Sequence, residues 1–281
     1  MSSHTQTLLE APSPALDLTL APNPNKDTVS TREPTPTPEP SASLAETSHS
    51  SGSSTQDASL LQKVAVTFQL AGINFAASAA NGLIVVGLPR ISSDLSLPES
   101  LAFWPYSVGS LATASSLLLA GSAADIIGPR GVDLAGTLAM GALMLGCGFV
   151  RTGEQLVGLR AVHGVALALH FASSVALVTR ILPRGRSRNI AFSCLGLSQP
   201  LGFSVGLVLG GVFVDTIGWR AGFYIYGGIT LLLAALSVFT LPRGEPLGSW
   251  AQTVAKAREK VDWVGALFAS AFMALLSYFL A

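Results

Sequence analysis

After residue 63 the chain contains seven long stretches without Asp, Glu, Lys or Arg. Their lengths run from 17 to 26 residues, and they cover residues 64–89, 100–124, 134–150, 161–179, 189–214, 221–242 and 263–281. An α-helix rises about 1.5 Å per residue, so about 20 residues are needed to cross a hydrocarbon layer about 30 Å thick. The stretches therefore predict membrane-spanning helices, and we extend the fourth to residues 156–179.

Two other structures fit such stretches less well. Helices of soluble proteins average about 11–12 residues and carry a charged face. Spanning β-strands are about 10 residues long and alternate in polarity, which runs such as Leu231 to Leu236 do not. Charged residues make up 11% of the chain and the mean hydropathy is +0.53, which argues against a soluble enzyme. The net charge is 0, so no nucleic acid is expected as a partner.

The first 60 residues differ in composition from the rest of the chain. They contain no Phe, Trp or Tyr and eight of the sixteen prolines, so they lack the apolar area that a packed core requires. No cleaved secretory signal is expected, because a basic start and a short apolar stretch are both missing. We predict a disordered cytoplasmic tail over residues 1–62, a six-helix bundle over 63–242, a cytoplasmic loop over 243–262 and the start of a seventh span over 263–281.

Basic residues near the ends of the predicted spans indicate the orientation of the chain. Ten of them lie on the side of the N-terminus and three on the opposite side. The ten are Lys63, Arg130, Arg180, Arg184, Arg186, Arg188, Arg243, Lys256, Arg258 and Lys260, and the three are Arg90, Arg151 and Arg220. Because cytoplasmic loops carry an excess of Lys and Arg, we predict that the N-terminus is cytoplasmic.

The loop after the second span places an acid, a glycine and a base close together. Asp125 ends the span, Gly128 permits a tight turn, and Arg130 follows five residues after Asp125. Together with Gly121 they resemble the G-x-x-x-D-x-x-G-[RK]-[RK] loop of the major facilitator superfamily, although Pro129 occupies a position that is usually basic. The resemblance implies that Gly121, Asp125, Gly128 and Arg130 form a cytoplasmic latch between the two halves of a transporter.

The fourth span contains one arginine and two histidines. Arg160 lies about 9 Å into the helix, where a charge is costly unless it faces protein or water. At 100° per residue Arg160, His163, His170 and Ser174 share one stripe, which we predict to line a cavity. Two alternatives stay open: Arg160 snorkels to the outer headgroups, and the histidines either hydrogen-bond to a neighbouring helix or carry protons. The segment from Arg160 to Gly164 resembles the R-x-x-Q-G pattern of the same superfamily, with His163 in place of Gln.

The first span carries a polar face formed by Asn74, Ser78 and Asn81 at positions i, i+4 and i+7. This face suits substrate contact and interhelical hydrogen bonding equally. No carboxylate is predicted inside any of the seven spans, so His163 and His170 are the candidates for a group that changes charge in a proton-coupled cycle. Protons are therefore a candidate coupling ion. We expect no cofactor, metal site or enzyme activity, because no matching motif is present.

Glycines recur at four-residue intervals in the fifth span, at Gly202, Gly206 and Gly210, followed by Gly211. Small residues at this spacing let helix backbones approach closely. The pattern resembles the antiporter motif G-x-x-x-G-P-x-x-G-G of proton-coupled drug exporters, with Leu207 in the proline position. The stretches 81–91, 215–224 and 261–266 are similar to fungal members of the drug:proton antiporter branch with fourteen spans.

The resemblance covers residues 64–281 and implies an all-α polytopic membrane protein: the six-helix N-terminal half of a major-facilitator fold plus a seventh helix, truncated before the second half. It implies efflux of a small amphipathic compound, a drug or a secondary metabolite, across the plasma membrane. The alternative is a non-transporting truncated or regulatory protein that pairs with a second half-transporter or a full-length relative. The expected partners are the lipid bilayer, the small-molecule substrate and, as a coupling ion, the proton.

Overall fold

The structure, a computed structural model, describes residues 59–242 and 263–280. The predicted tail before Ser59 and the predicted loop over 243–262 lie outside the described residues. Seven α-helices follow one another, with a short 3₁₀ helix at Glu99–Leu101 between the first two. They are α1 (Leu60–Asp94), α2 (Trp104–Ile127), α3 (Pro129–Phe149), α4 (Gly153–Ile181), α5 (Arg186–Thr216), α6 (Trp219–Thr240) and α7 (Trp263–Leu280). The all-α prediction is confirmed, and the described part contains no strand.

Six helices, α1 to α6, are long and apolar enough to cross a membrane. They extend beyond the charge-free stretches at one or both ends, because they accommodate charged residues near their ends, such as Arg90 in α1 and Arg186 in α5. Local sequence fixes several helix ends. The Thr152 side chain accepts a hydrogen bond from the Gln155 N–H at 3.3 Å and caps α4. Gly128, with φ +100°, is the single residue between α2 and α3.

The six long helices pack in the order α5, α1, α6, α3, α4, α2. In this row α1 packs against α5 and α6, whereas α4 packs against α2 and α3, and α3 packs against α6. The same set of neighbours results when α1 is exchanged with α4, α2 with α5, and α3 with α6. The bundle is therefore built from two related three-helix units. The helices at the two ends of the row are the least covered: the apolar windows of α2 and α5 are 17% and 22% buried, compared with 61% for α1.

Hydrogen bonds at the two ends of the bundle show how the helices alternate in direction. At one end the Trp219 Nε1 at the start of α6 donates to Asp94 at the end of α1, at 3.0 Å. At the opposite end the Arg130 guanidinium at the start of α3 donates to the Val238 carbonyl near the end of α6, at 3.0 Å. Three apolar clusters fill the space between these ends, and α1, α3, α4 and α6 contribute most of the buried side chains.

Candidate functional site

Helix α4 carries five buried polar side chains, and four of them belong to two separate groups. The exposed fractions of these five side chains, one arginine, two histidines and two serines, are 2% or less. These residues are Arg160, His163, His170, Ser173 and Ser174. A polar side chain inside an apolar bundle is costly unless it is hydrogen-bonded, so each group depends on partners from neighbouring helices.

The first group surrounds Arg160, whose guanidinium joins three helices. Its Nε donates to the Pro105 carbonyl of α2 at 3.3 Å, and its Nη2 donates to Asn81 Oδ1 of α1. The Nη1 atom lies 3.4 Å from Nδ1 of His163, one turn further along α4. Within residues 59–242 and 263–280, no carboxylate forms an ion pair with this arginine. The guanidinium is therefore a buried cation held by neutral acceptors.

A glycine of α2 makes room for this guanidinium. A Cβ atom added at Gly109 would lie 2.9 Å from Arg160 Nη2. Gly164, one turn after Arg160, faces the same position of α2, because a Cβ there would lie 2.9 Å from Ala112 Cβ and collide with the Gly109 backbone. The close approach of α2 and α4 thus encloses the Arg160 guanidinium inside the bundle.

The second group surrounds Asp133, a residue that sequence reasoning missed. The prediction that no carboxylate lies inside a span is wrong, because Asp133 is a fully buried residue of the long apolar helix α3. Its Oδ1 lies 2.8 Å from His170 Nδ1 and 3.1 Å from Ser173 Oγ. The error has a simple cause. A span defined as a charge-free stretch stops by construction at the charged residue that bounds it, so Asp133 was assigned to the preceding loop.

The polar face predicted on the first span is divided in the structure. Asn81 contacts Arg160. Asn74 is buried, and its Oδ1 atom has no hydrogen-bond partner within the described part of the chain. Ser78 is partly buried and makes no hydrogen bond there. A further polar contact on α1 was not predicted from the sequence. The Gln69 amide donates to Ser237 of α6, and its Oε1 accepts from Thr240 Oγ1 at 2.9 Å. A glutamine one turn before Ile73 in an apolar helix was the available signal.

The predicted latch residues occupy different environments. Arg130 reaches the last turn of α6, where a cation is favourable next to the exposed carbonyls of a helix C-terminus. Asp125 is exposed at the end of α2, and the described part of the chain shows no ion pair between it and Arg130. Gly121 has open space where a Cβ would stand, and Gly128 forms the turn between α2 and α3.

Three of the four predicted packing glycines lie on the seam between α5 and α1. A Cβ at Gly202 or Gly206 would collide with the α1 backbone, and a Cβ at Gly210 would lie 2.8 Å from Leu83 Cα. Gly211 lies at the loose edge of this seam, since its added Cβ would meet Val86 Cγ1 of α1 at an ordinary contact distance of 3.8 Å. The seam is therefore specific to one face of α5.

No group of three His, Cys, Asp or Glu side chains that could hold a metal occurs among the described residues. A cavity of about 470 Å³ lies between α2 and α7, and its lining includes Ser115, Gly121, Asp125, Ser270 and Met273. The stripe of α4 that was predicted to line a cavity does not contribute to this one. In the conformation described, its side chains are enclosed by neighbouring helices.

Long apolar helices with buried polar groups between them define an integral membrane protein. A sequence profile described as Major Facilitator Superfamily matches residues 70–281. The chain belongs to this family of transporters, as the loop after α2 and the Arg160 segment suggested.

Similar proteins include three whose names indicate transport. "MFS-type transporter 1" of Pyricularia oryzae is 37% identical over 79% of this chain and 41% of its own length. "Citrate exporter 1" of Yarrowia lipolytica is 29% identical over 69% of this chain and 28% of its own length. "Cephamycin export protein CmcT" of Amycolatopsis lactamdurans is 30% identical over 69% of this chain and 39% of its own length. The chain thus spans less than half the length of each of these relatives.

Proposed function

We propose that the chain mediates efflux of a small amphipathic compound and that the Arg160 group is part of its substrate path. The observation that carries the proposal is a buried guanidinium that, among the described residues, contacts neutral groups of α1, α2 and α4 and no carboxylate, in a chain of a transporter family. Names of relatives that include the words exporter and export support the outward direction.

The chemistry of the Arg160 group suits a compound with one polar and one apolar part. The guanidinium carries five N–H donors, and an acceptor group of the compound can replace Asn81 Oδ1 at Nη2 when α1 and α4 move apart. Aliphatic side chains of α1, α2 and α4 then face the apolar part. Breaking one neutral contact costs less than breaking an ion pair, so the group is suited to repeated opening.

Vesicles that contain only the purified chain test the proposal, with fluorescein as the transported probe, because its carboxylate and carbonyl oxygens accept hydrogen bonds and its ring system is apolar. Arg160→Gln removes the buried charge, while Arg151→Gln removes the same charge from an exposed position before α4. We expect fluorescein flux above that of empty vesicles for the wild type and for Arg151→Gln. For Arg160→Gln we expect the flux to fall at least about tenfold, which corresponds to a transport barrier that is higher by about 1.4 kcal/mol. Equal flux in both variants would contradict the assignment of Arg160.

The second candidate function is a non-transporting subunit that pairs with a second half-transporter or a full-length relative. The specific observation that favours it is the low coverage of α2 and α5, in a chain that spans less than half of its relatives. This candidate predicts no fluorescein flux from the chain alone. It also predicts that the tagged chain co-purifies in detergent with a co-expressed full-length relative, at a fixed ratio.

The orientation and the membrane are part of the proposal. Three basic residues lie near helix ends: Lys63 at the start of α1, Arg130 at the start of α3 and Arg180 at the end of α4. Because the helices alternate in direction, these three ends lie on the same side of the bundle. We propose that this side is cytoplasmic and that the membrane is the plasma membrane. On this side Asp125 is exposed and free to form the latch that the family resemblance implies, with Arg130 as its nearby cation. Glycosylation acceptor sites inserted between successive helices test the alternation.

A further inference from the structure

Asp133 and His170 form a buried ionisable pair that the proposed substrate path does not use. Both side chains are 0% exposed, and 2.8 Å separates Asp133 Oδ1 from His170 Nδ1. The two remaining polar atoms, Asp133 Oδ2 and His170 Nε2, are buried and have no hydrogen-bond partner among residues 59–242 and 263–280. A buried carboxylate normally accepts several hydrogen bonds. Because donors are few around Asp133, its contact with His170 matters more than usual.

The hydroxyl of Ser173 does not fill this shortage. Its Oγ lies 3.1 Å from Asp133 Oδ1 but 2.6 Å from the Leu169 carbonyl in the preceding turn of α4. A serine hydroxyl has a single proton and donates one strong hydrogen bond, and the shorter contact competes for it. The carboxylate therefore depends on His170 for its only dedicated donor within the described part of the chain.

Close packing of α3 and α4 keeps water away from the pair. A Cβ added at Gly136, one turn after Asp133, would lie 3.0 Å from Leu169 Cβ and 3.1 Å from the Ala166 carbonyl. Apolar side chains fill the core clusters contributed by these helices, including Leu134 and Leu177 in one and Met140 and Leu167 in another. The glycine thus lets the short Asp133 side chain reach across to α4.

Among the described residues, no other ionisable group forms an ion pair with Asp133 or His170. Arg130, one turn before Asp133, is bonded to the α6 carbonyl of Val238, and His163, two turns before His170, contacts Arg160. Asp125 at the end of α2 is exposed. The buried polar residues that α1, α5 and α6 contribute to the bundle are uncharged; they are Gln69, Asn74, Ser198, Thr230 and Ser237.

Charge then decides which form of the pair is easier to bury. With a proton on the imidazole the pair is electrically neutral, whereas without that proton a net negative charge remains in an apolar environment. Burying an isolated carboxylate is costly, and a paired charge reduces that cost. We propose that Asp133 and His170 form a proton-binding site, and that its proton-bound form holds α3 against α4. The site goes beyond the proposed efflux and does not depend on it.

The sign of the pH effect follows from this assignment. If the folded chain binds a proton here that the unfolded chain has released, the stability of the fold decreases as the pH rises. One such proton changes the ratio of folded to unfolded chain by up to tenfold per pH unit. The decrease begins within the range of about pH 5 to 8, in which a histidine in unfolded chain changes charge.

Two measurements on the purified chain in detergent test the site. The first is thermal unfolding against pH for the wild type and for Asp133→Asn/His170→Gln, which replaces the ionisable pair by neutral side chains of similar size. We expect the wild type to lose stability as the pH is raised from about 5 to above 8 and the double variant to lose much less. Equal pH dependence in the two proteins would overturn the proposal.

The second measurement reads the proton directly and does not require the double variant to fold. The chain has 4 histidines, so ¹⁵N labelling of their rings gives few signals, and Asp133→Asn identifies the one that belongs to His170. We expect an imidazolium signal for His170 in the wild type at about pH 7, and a neutral imidazole in Asp133→Asn. A neutral His170 in the wild type at this pH would overturn the proposal, whatever the outcome of the fluorescein experiment.

Discussion

Replacement of Gly206 by alanine tests whether the seam between α1 and α5 determines the stability of the bundle. The added Cβ would collide with backbone atoms of Ala79, which move only if the two helices separate. Overpacking of this kind costs about 1–3 kcal/mol, and the better helix propensity of alanine returns about 1 kcal/mol. A net loss of about 1 kcal/mol corresponds to a decrease in Tm of about 2–4 °C for a chain of this size.

Gly211→Ala is the matched control, because it adds the same methyl group to the same helix. Its Cβ would lie 3.8 Å from Val86 Cγ1, an ordinary van der Waals distance. We therefore expect an unchanged Tm, or an increase of about 2–4 °C from helix propensity alone.

Labelling of Cys147 with a maleimide dye during heating measures both Tm values. This cysteine is buried in α3, whereas Cys194 is exposed, so a Cys194→Ser background leaves a single thiol that reports unfolding. Equal Tm values for Gly206→Ala and Gly211→Ala would refute the reasoning, since the two variants differ only in the backbone contact.

Two smaller perturbations test the ends of the helices. Tyr224→Phe removes the hydrogen bond from the Tyr224 hydroxyl to the Gly148 carbonyl, 2.8 Å long, and should lower the free energy of unfolding by about 0.5–1.5 kcal/mol, as measured by the same thiol labelling. Arg188→Gln removes the guanidinium that binds the Leu182 carbonyl after α4 at 2.8 Å. We expect faster proteolytic cleavage between α4 and α5, and an unchanged cleavage rate would contradict a role of Arg188 in ordering this connection.

The helices could be predicted from the sequence because a hydrocarbon layer selects for length. A stretch of about 20 residues without charge has few alternatives to a spanning helix, and α4 and α6 follow their stretches closely at the C-terminal end. The N-terminal ends were harder to place. Helix α3 begins at Pro129, five residues before its charge-free stretch, because proline is favoured in the first turn and the charges of that turn lie near the end of the bundle.

The partners of the polar residues could not be predicted in the same way. Periodicity places Arg160, His163 and His170 on one stripe of α4, but it does not specify which helix covers each part of the stripe. Gln69 and Ser237 are 168 residues apart in sequence, and Asp133 and His170 are 37 apart. Only the packing order of the helices brings these pairs together, and that order follows from close backbone contacts at glycines as much as from apolar faces.

The two polar groups of α4 differ in charge and act largely independently. Arg160 contributes a positive charge held by neutral acceptors, and the Asp133–His170 pair is neutral or negative according to its proton. Ten residues of helix separate Arg160 from His170, about 15 Å. At an effective dielectric constant of about 20, two unit charges at that distance interact by only about 1 kcal/mol. This attraction is smaller than the several kcal/mol needed to bury an unpaired carboxylate. Arg160 therefore cannot replace the proton of the pair, and the neutral form must be maintained by His170 itself.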